Sequence, residues 1–173
     1  MILYHGSNMP VRTPEVRPST RAMDFGAGFY CAANRAQAIE FARKVVARSV
    51  KFGRAPGIAT VTVYEFDEAA AQGVLHVLCY DKPDSRWLNQ VTEFRLRGDM
   101  SEGYDLIIGP VANDNVFPVL QAYWDDALDI ETALSRLKIR RLYDQYCFKS
   151  VAALSFLRCV ETFEAENGKG ARA

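Results

Sequence analysis

Alternation of apolar and polar residues predicts the strands of this chain, because successive side chains of a strand point to opposite faces of a sheet. Residues 58–66 show the clearest alternation, with Val61 and Val63 among the residues of one face and Tyr64 and Phe66 among those of the other. Shorter apolar runs predict further strands at 2–5, 74–80, 104–108 and 143–149.

Spacing of three to four residues between apolar positions predicts the helices. Ala38, Phe41, Ala42 and Val45 follow this spacing, Asn34 is a good N-cap, and Gly53 ends the pattern after about Phe52. The same periodicity predicts helices at 84–97, 117–123 and 130–140, and an amphipathic closing helix at 151–163.

Strands and helices are mixed without regular β-α-β alternation, which favours an α+β fold with antiparallel or mixed sheets. A chain of 173 residues with 49% hydrophobic content has enough apolar surface for one sizeable core. We expect a single domain over residues 1–166, followed by a flexible tail over 167–173.

Charge and cysteine content exclude some classes of protein. Twenty-one basic residues balance twenty-one acidic ones, which argues against binding of nucleic acid chiefly by bulk charge. The four cysteines, scattered in apolar surroundings, are expected to be buried and reduced. Two histidines beside these thiols give little support for a zinc site, so we expect no metal. With no leader or membrane-spanning run, we expect a soluble, cytoplasmic protein.

Two short motifs near the beginning of the chain carry candidate chemistry. His5 ends the first predicted strand and is followed by Gly6 and Ser7, and Gly28 and Tyr30 close a glycine-rich segment that starts at Asp24. This arrangement differs from the strand, glycine-rich turn and helix of the dinucleotide-binding fingerprint. Each residue also has a structural explanation: a histidine in a turn, glycines in a tight turn, and aromatic rings in the core.

Read in this order, the two motifs resemble those of ADP-ribosyltransferases of the diphtheria-toxin and poly(ADP-ribose) polymerase type. The resemblance implies an NAD cleft formed by two packed mixed or antiparallel sheets flanked by helices. It implies that His5 hydrogen-bonds a ribose, that the Gly6 backbone pairs with the carboxamide, and that nicotinamide lies between Tyr30 and Phe41, eleven residues further on. Ser7 and Gly28 complete the implied NAD-binding set.

The third motif of this family is a glutamate that opens a late strand, and here Gln145 takes its place. The resemblance thus gives a His5, Tyr30 and Gln145 catalytic triad. A glutamine can hydrogen-bond a ribose hydroxyl, but it carries no charge and cannot take up a proton. Gln145 could also serve only to satisfy a backbone group at a sheet edge.

The middle of the chain resembles an uncharacterised bacterial branch of this superfamily, of the DUF3990 type. The residues that carry this resemblance are Trp87, Leu88 and Val91, followed by the segment from Gly109 to Asp114. Members of this branch commonly have glutamine at the third motif.

Together these resemblances imply an NAD-dependent mono-ADP-ribosyltransferase. They imply that it transfers ADP-ribose to a macromolecular acceptor, either a protein or a nucleic acid. A toxin or effector role, with an antitoxin or immunity protein as partner, is part of what they imply. The alternatives are an NAD glycohydrolase and an NAD- or ADP-ribose-binding pseudoenzyme or interaction module.

Several other polar residues are weaker candidates. Glu93 is a rival for the missing carboxylate, although pairing with Arg95 or Arg97 on a solvated helix face is the simpler interpretation. The loop arginines could contact the pyrophosphate of NAD, and the late basic residues could form either a solvated helix end or a basic lip that receives the acceptor. An asparagine-rich segment could cap a helix or border the pocket. These groups are Arg12, Arg17 and Arg21; Lys138, Arg140 and Arg141; and Asn113, Asp114 and Asn115.

Overall fold

A computed structural model describes residues 1–17, 23–97, 103–111, 117–137 and 144–165 of the chain. Within these residues the protein is α+β, with six helices and one mixed sheet of seven strands. The strands are β1 Ile2–Ser7, β2 Phe29–Ala32, β3 Thr60–Phe66, β4 Val77–Cys79, β5 Leu106–Pro110, β6 Asp144–Phe148 and β7 Leu157–Glu164. The helices are α1 Arg35–Lys51, α2 Glu68–Gln72, α3 Ser85–Arg97, α4 Phe117–Trp124, α5 Ile130–Arg136 and α6 Val151–Leu154.

The strand order is β4-β5-β6-β2-β1-β3-β7. The pair β4 and β5 is parallel, whereas β1 with β3, β3 with β7 and β5 with β6 are antiparallel. The α+β prediction is therefore confirmed. The prediction of two packed sheets is not: the described strands belong to one sheet, and no second sheet occurs among them.

The described chain divides into two compact units. The first comprises Met1–Pro14, Cys31–Asp67 and residues 157–165, and the second comprises the described parts of Glu15–Tyr30 and Glu68–Phe156. The single domain over 1–166 stays a prediction, and the tail over 167–173 lies outside the described residues.

In the first unit, α1 packs on a three-stranded part of the sheet. Ala38 and Ala42 are the buried residues of α1, and they form a cluster with Val61 of β3. Asn34 caps the helix by accepting a hydrogen bond from the Gln37 backbone N–H at 3.1 Å, and Phe52 is its C-cap. Both predicted ends of this helix are thus confirmed within one residue.

In the second unit, α3 supplies much of the core. Trp87, Leu88, Val91 and Phe94 are all buried, as the helical spacing predicts, and they pack with Phe25 in the same cluster. The indole N–H of Trp87 donates to the Pro110 carbonyl at 3.0 Å, which ties α3 to the end of β5. A buried tryptophan thereby satisfies its polar atom.

The predicted closing helix at 151–163 is wrong. Only α6 is helical there, and residues from Leu157 onward form β7, which pairs with β3. The pairing shifts register where Val63 opposes Glu161 and Tyr64 opposes Cys159, so that Val160 is an extra residue in β7. Such a bulge interrupts the period of two, and the resulting spacing of three between apolar residues imitates a helix.

Two smaller differences concern a strand and two of the four cysteines. The four residues of β2 form a strand that the apolar pattern did not predict, because so short a segment shows little alternation. Cys31 and Cys147 are buried as expected, whereas Cys79 is exposed and Cys159 is partly exposed.

Candidate functional site

The first motif lies on β1, in the first unit. His5 is partly buried and stands opposite Thr62 of β3, while Gly6 is buried and stands opposite Val61. Gly6 also faces α1 so closely that a Cβ atom there would overlap the Ala38 carbonyl oxygen and crowd the Ala42 backbone nitrogen, 2.9 Å away. The glycine after the histidine therefore has a packing reason of its own, besides the backbone contact that the resemblance implies.

Phe41 projects from α1 outside the buried residues of that helix. Ala38 and Ala42 are at most 2% exposed, whereas Phe41 is 39% exposed. The interpretation of Phe41 as a core aromatic is therefore wrong, and its ring is accessible to a ligand. Tyr30 belongs to the other unit, so the stacking of one ring between Phe41 and Tyr30 stays a prediction.

The glycine-rich segment lies in the second unit, where a buried ion pair fixes its beginning. Asp24 is 4% exposed and pairs with the Arg95 guanidinium of α3, whose Nε donates to Asp24 Oδ1 at 2.7 Å. The side chain of Gln145 donates from Nε2 to Asp24 Oδ2 at 2.6 Å. Both carboxylate oxygens are thus occupied, which a buried charge requires.

The strand β6 holds this segment with side chains of one face. Gln145, Cys147 and Lys149 alternate along the chain, so they point to the same side of the strand. Lys149 Nζ donates to the carbonyl oxygens of Phe25 and Ala27, each at 2.7 Å. Cys147 Sγ lies 3.9 Å from the Phe25 carbonyl oxygen. Gln145 and Cys147 of β6, together with Lys149 directly after the strand, therefore fasten residues 24–27.

Tyr30 closes the segment on itself. Its hydroxyl donates to the Gly26 carbonyl at 2.7 Å and accepts from the Phe25 backbone N–H at 3.1 Å. Gly26 has φ +72°, a left-handed conformation that favours glycine, so the turn predicted there is confirmed for this residue. Burial raises the pKa of Tyr30 well above its ordinary value, and nearby Cys147 and Asp24 raise it further. The hydroxyl therefore stays protonated near neutral pH.

Gly28 lies against β6. A Cβ atom at Gly28 would stand 2.5 Å from Cys147 Sγ and 3.0 Å from the Phe148 carbonyl oxygen. The contact is possible only because glycine has no side chain. Gly28 is not among the glycines with a positive φ angle. A tight turn is thus not the reason for glycine at this position.

Gln145 is 8% exposed, and its amide orientation follows from its neighbour. An ionised carboxylate only accepts hydrogen bonds, so the amide must present its NH₂ group to Asp24. Nε2 also lies 3.5 Å from the Pro110 carbonyl oxygen, a second acceptor. The amide nitrogen is therefore the end of Gln145 that these hydrogen bonds fix. The interpretation in which Gln145 satisfies a sheet-edge group does not hold, because β6 lies inside the sheet.

Sequence reasoning missed Arg95 and Lys149, and gave Asp24 no role. Of the two partners expected for Glu93, Arg95 is wrong, since Arg95 reaches the buried Asp24. The side chain of Arg97, the other expected partner, lies outside the described part of the chain. Two features of the sequence could have indicated these residues. Lys149 comes four residues after Gln145, a spacing typical of side chains on one face of an extended chain, and Arg95 is next to the buried Phe94.

The remaining candidates are divided between described and undescribed parts of the chain. Arg12 donates to the Thr162 hydroxyl at 3.3 Å, and Arg17 forms an exposed pair with Glu15 at 2.8 Å. The other candidates fall outside the described residues: Arg21, Asn113, Asp114, Asn115, Lys138, Arg140 and Arg141. In the ranges that the structure covers, no three histidine, cysteine or acidic side chains are grouped as a metal site would require.

A family model described as "Protein of unknown function (DUF3990)" matches residues 1–159. The chain therefore belongs to the DUF3990 family, which confirms that part of the resemblance. Comparison with curated proteins gave no match. Comparison with solved structures gave none either. Among the described residues, no helix has the length and apolar character needed to cross a membrane.

Proposed function

We propose that this protein is an NAD-dependent mono-ADP-ribosyltransferase that cleaves the bond between nicotinamide and ribose and transfers ADP-ribose to a macromolecule. The proposal starts from three motifs of the sequence, each of which lies on a strand. His5 and Gly6 are on β1, Tyr30 is on β2, and Gln145 is on β6.

One observation carries the proposal further than the motifs do: the Asp24 carboxylate holds the Gln145 amide by its nitrogen, at 2.6 Å. The carbonyl end of this amide is the negative end of its dipole. A fixed dipole of that sign stabilises positive charge that develops on a ribose as nicotinamide leaves. Cleavage of a glycosidic bond depends on such stabilisation of an oxocarbenium-like transition state.

In this mechanism the nitrogen–carbon bond to nicotinamide breaks, and its electron pair leaves with nicotinamide. A nucleophilic atom of the acceptor then bonds to the same ribose carbon and loses its proton. Gln145 cannot take this proton, so a water molecule or another group of the acceptor molecule must take it. We therefore propose a slow transferase, or one whose acceptor is itself acidic.

The other motif residues have binding roles in the proposal. His5 hydrogen-bonds a ribose, Gly6 and Ser7 contact nicotinamide through their strand, and Gly28 lets the chain pass close to the ligand. Tyr30 offers the face of its ring, because its hydroxyl is already committed to residues 25 and 26. Stacking on Tyr30, and on the exposed ring of Phe41, contributes about 1–3 kcal/mol per ring by analogy with base stacking.

A second function, an NAD- or ADP-ribose-binding module without turnover, is favoured by the glutamine at position 145. Gln145 brings no carboxylate to the position where the resembled enzymes use one. An NAD glycohydrolase, with water as the acceptor, is the nearest enzymatic alternative. A toxin or effector role, with an antitoxin or immunity protein as partner, belongs to the proposal as its biological setting.

The histidines give a matched test of NAD binding, because the chain has only two. We expect His5→Ala to weaken NAD binding about tenfold, since a hydrogen bond to a ribose is lost, and His76→Ala to leave binding unchanged. Binding is measured by the thermal shift that NAD produces. Equal shifts in the wild type and both variants would contradict the assignment of His5.

Turnover separates the three candidate functions. Nicotinamide release is measured with NAD alone and with labelled NAD in a cell lysate, followed by separate protease and nuclease digestion. Transfer of label to a digestible macromolecule supports the transferase. Release without transfer indicates the glycohydrolase, and NAD binding without release indicates the module.

A further inference from the structure

The second unit contains a pocket of about 400 Å³ that none of the motif residues lines. One face of α3 forms its wall: Arg86, Asn89, Gln90 and Glu93 are spaced as neighbours on a helix surface. Arg95, which binds Asp24, is not among the lining residues. The pocket is therefore distinct from the Asp24 network, and its size is typical of sites for small molecules.

Two large aromatic rings in this pocket are accessible. Tyr104 is 41% exposed and Trp124 is 38% exposed, although both line the same concave surface. Exposed flat rings in a pocket favour a ligand that is itself flat, because ring faces stack on one another. Tyr80 lines the same pocket and stacks on the ring of Phe25, at 6.2 Å between ring centres.

The polar atoms of the pocket are arranged mainly as donors. The Tyr123 hydroxyl donates to Asn89 Oδ1 at 2.5 Å, and the Tyr80 hydroxyl donates to Gln90 Oε1 at 3.4 Å. These two bonds occupy the amide oxygens and leave the NH₂ groups of Asn89 and Gln90 for a ligand. The edges of nucleobases carry ring nitrogens and carbonyl oxygens that accept such bonds.

Thr92 gives an independent sign of a missing ligand. Thr92 is 1% exposed and belongs to the residues that line the pocket, and its buried hydroxyl oxygen has no hydrogen-bond partner among the described residues. A buried hydroxyl without a partner is unfavourable, so its presence needs an explanation. A bound group that hydrogen-bonds Thr92 supplies one. Glu93 adds an acceptor at the same wall, which suits an exocyclic amino group.

We propose that this pocket binds a nucleobase, carried by a free nucleotide or by a single-stranded nucleic acid. The stacking surfaces, the amide donors and the unsatisfied threonine all fit a flat ring with hydrogen-bonding edges. The zero net charge of the chain agrees with recognition through the base and not through bulk charge. This inference does not depend on the proposed transferase activity.

Tryptophan fluorescence reports binding here, because the chain has two tryptophans and only Trp124 is accessible. AMP, GMP, CMP and UMP are titrated against the protein, with ribose 5-phosphate as the probe that lacks a base and maltose as the sugar probe. Single-stranded RNA tetranucleotides form a further arm. Saturable quenching by a mononucleotide shows that a free nucleotide is sufficient for binding. Quenching by tetranucleotides alone shows that the ligand is a single strand.

Thr92→Val separates ligand binding from folding, because valine keeps the shape and removes the hydroxyl. We expect about a three- to tenfold weaker affinity for the nucleotide or strand, with an unfolding temperature equal to or above that of the wild type. Thr162→Val, in the first unit and outside the pocket, should leave the affinity unchanged. The proposal is overturned by quenching with ribose 5-phosphate or maltose that equals quenching with the bases. It is also overturned by the absence of quenching with every base, or by equal affinities of Thr92→Val and the wild type.

Discussion

The two ends of the Gln145 side-chain amide have different roles: its nitrogen holds Asp24, and in the proposed function its carbonyl oxygen faces the ribose. This arrangement explains why a glutamate would not be a simple improvement at this position. A carboxylate at residue 145 would face the Asp24 carboxylate inside the protein, where like charges repel strongly. Glutamine avoids the repulsion while keeping a negative dipole end.

Gln145→Glu should therefore destabilise the fold as well as alter turnover. We expect the free energy of unfolding to fall by about 3 kcal/mol or more at neutral pH, and by less in acid, where a protonated glutamic acid can donate to Asp24. Urea unfolding at neutral and acidic pH measures both effects. The same free energy of unfolding for Gln145→Glu and the wild type at both pH values would refute the buried contact.

The double variant Asp24→Asn with Gln145→Glu exchanges the amide and the carboxylate. It should recover part of the stability lost by either single variant, because one negative charge and one amide again lie side by side. Nicotinamide release by this double variant then tests a carboxylate at position 145 without the repulsion. If the double variant loses as much stability as the two single variants together, residues 24 and 145 do not interact.

At the scale of elements, the contact between the glycine-rich segment and β6 leaves no room for a side chain at position 28. Gly28→Ala should lower the free energy of unfolding by about 1–3 kcal/mol, because the added methyl group meets Cys147 Sγ. Gly73→Ala is the control, since a Cβ atom there has its nearest contact at 3.6 Å. Urea unfolding of both variants gives the comparison.

Cys147→Ala tests the cause of the Gly28→Ala defect. Removal of the sulfur should restore part of the stability in the Gly28→Ala background, whereas the Phe148 carbonyl oxygen keeps the recovery incomplete. If Cys147→Ala only adds its own loss, the sulfur is not the atom that the methyl group meets.

The sequence predicted those elements whose signals are local. Asn34 and the alanine spacing defined α1, and the buried face of α3 followed from Trp87, Leu88 and Val91. The strand β7 was missed because its bulge depends on pairing with β3, a contact that is distant along the chain. The partners of Asp24 were missed for the same reason: Arg95 and Gln145 meet it only in the folded protein.

For the whole molecule, buried tyrosines predict a loss of stability in alkali. Burial raises the pKa of Tyr80 and of Tyr146 to about 12, and it also raises the pKa of Tyr64 and Tyr30. A tyrosine whose pKa is higher in the folded state stabilises the fold fully below its unfolded pKa of about 10. That contribution is lost as the pH rises through the folded value.

We therefore expect stability to fall between about pH 10 and about pH 12, with tyrosinate formation and unfolding occurring together. Tyrosinate absorbance and circular dichroism, followed through one titration, measure the two events. Tyr146→Phe should show a weaker pH dependence, because one of the shifted groups is gone. An equal decline in this variant and the wild type would contradict a raised pKa at Tyr146.

The fastening of residues 24–27 by β6 has a consequence for the protein during its synthesis. Gln145 and Asp24 are 121 positions apart, so a ribosome must synthesise the chain past residue 145 before the glycine-rich segment can be held. A nascent chain that stops short of residue 144 carries His5 and Tyr30 with none of the β6 groups that secure the segment between them. Premature termination in that region should therefore yield fragments without the completed motif, and the proposed chemistry would begin only in molecules that contain β6.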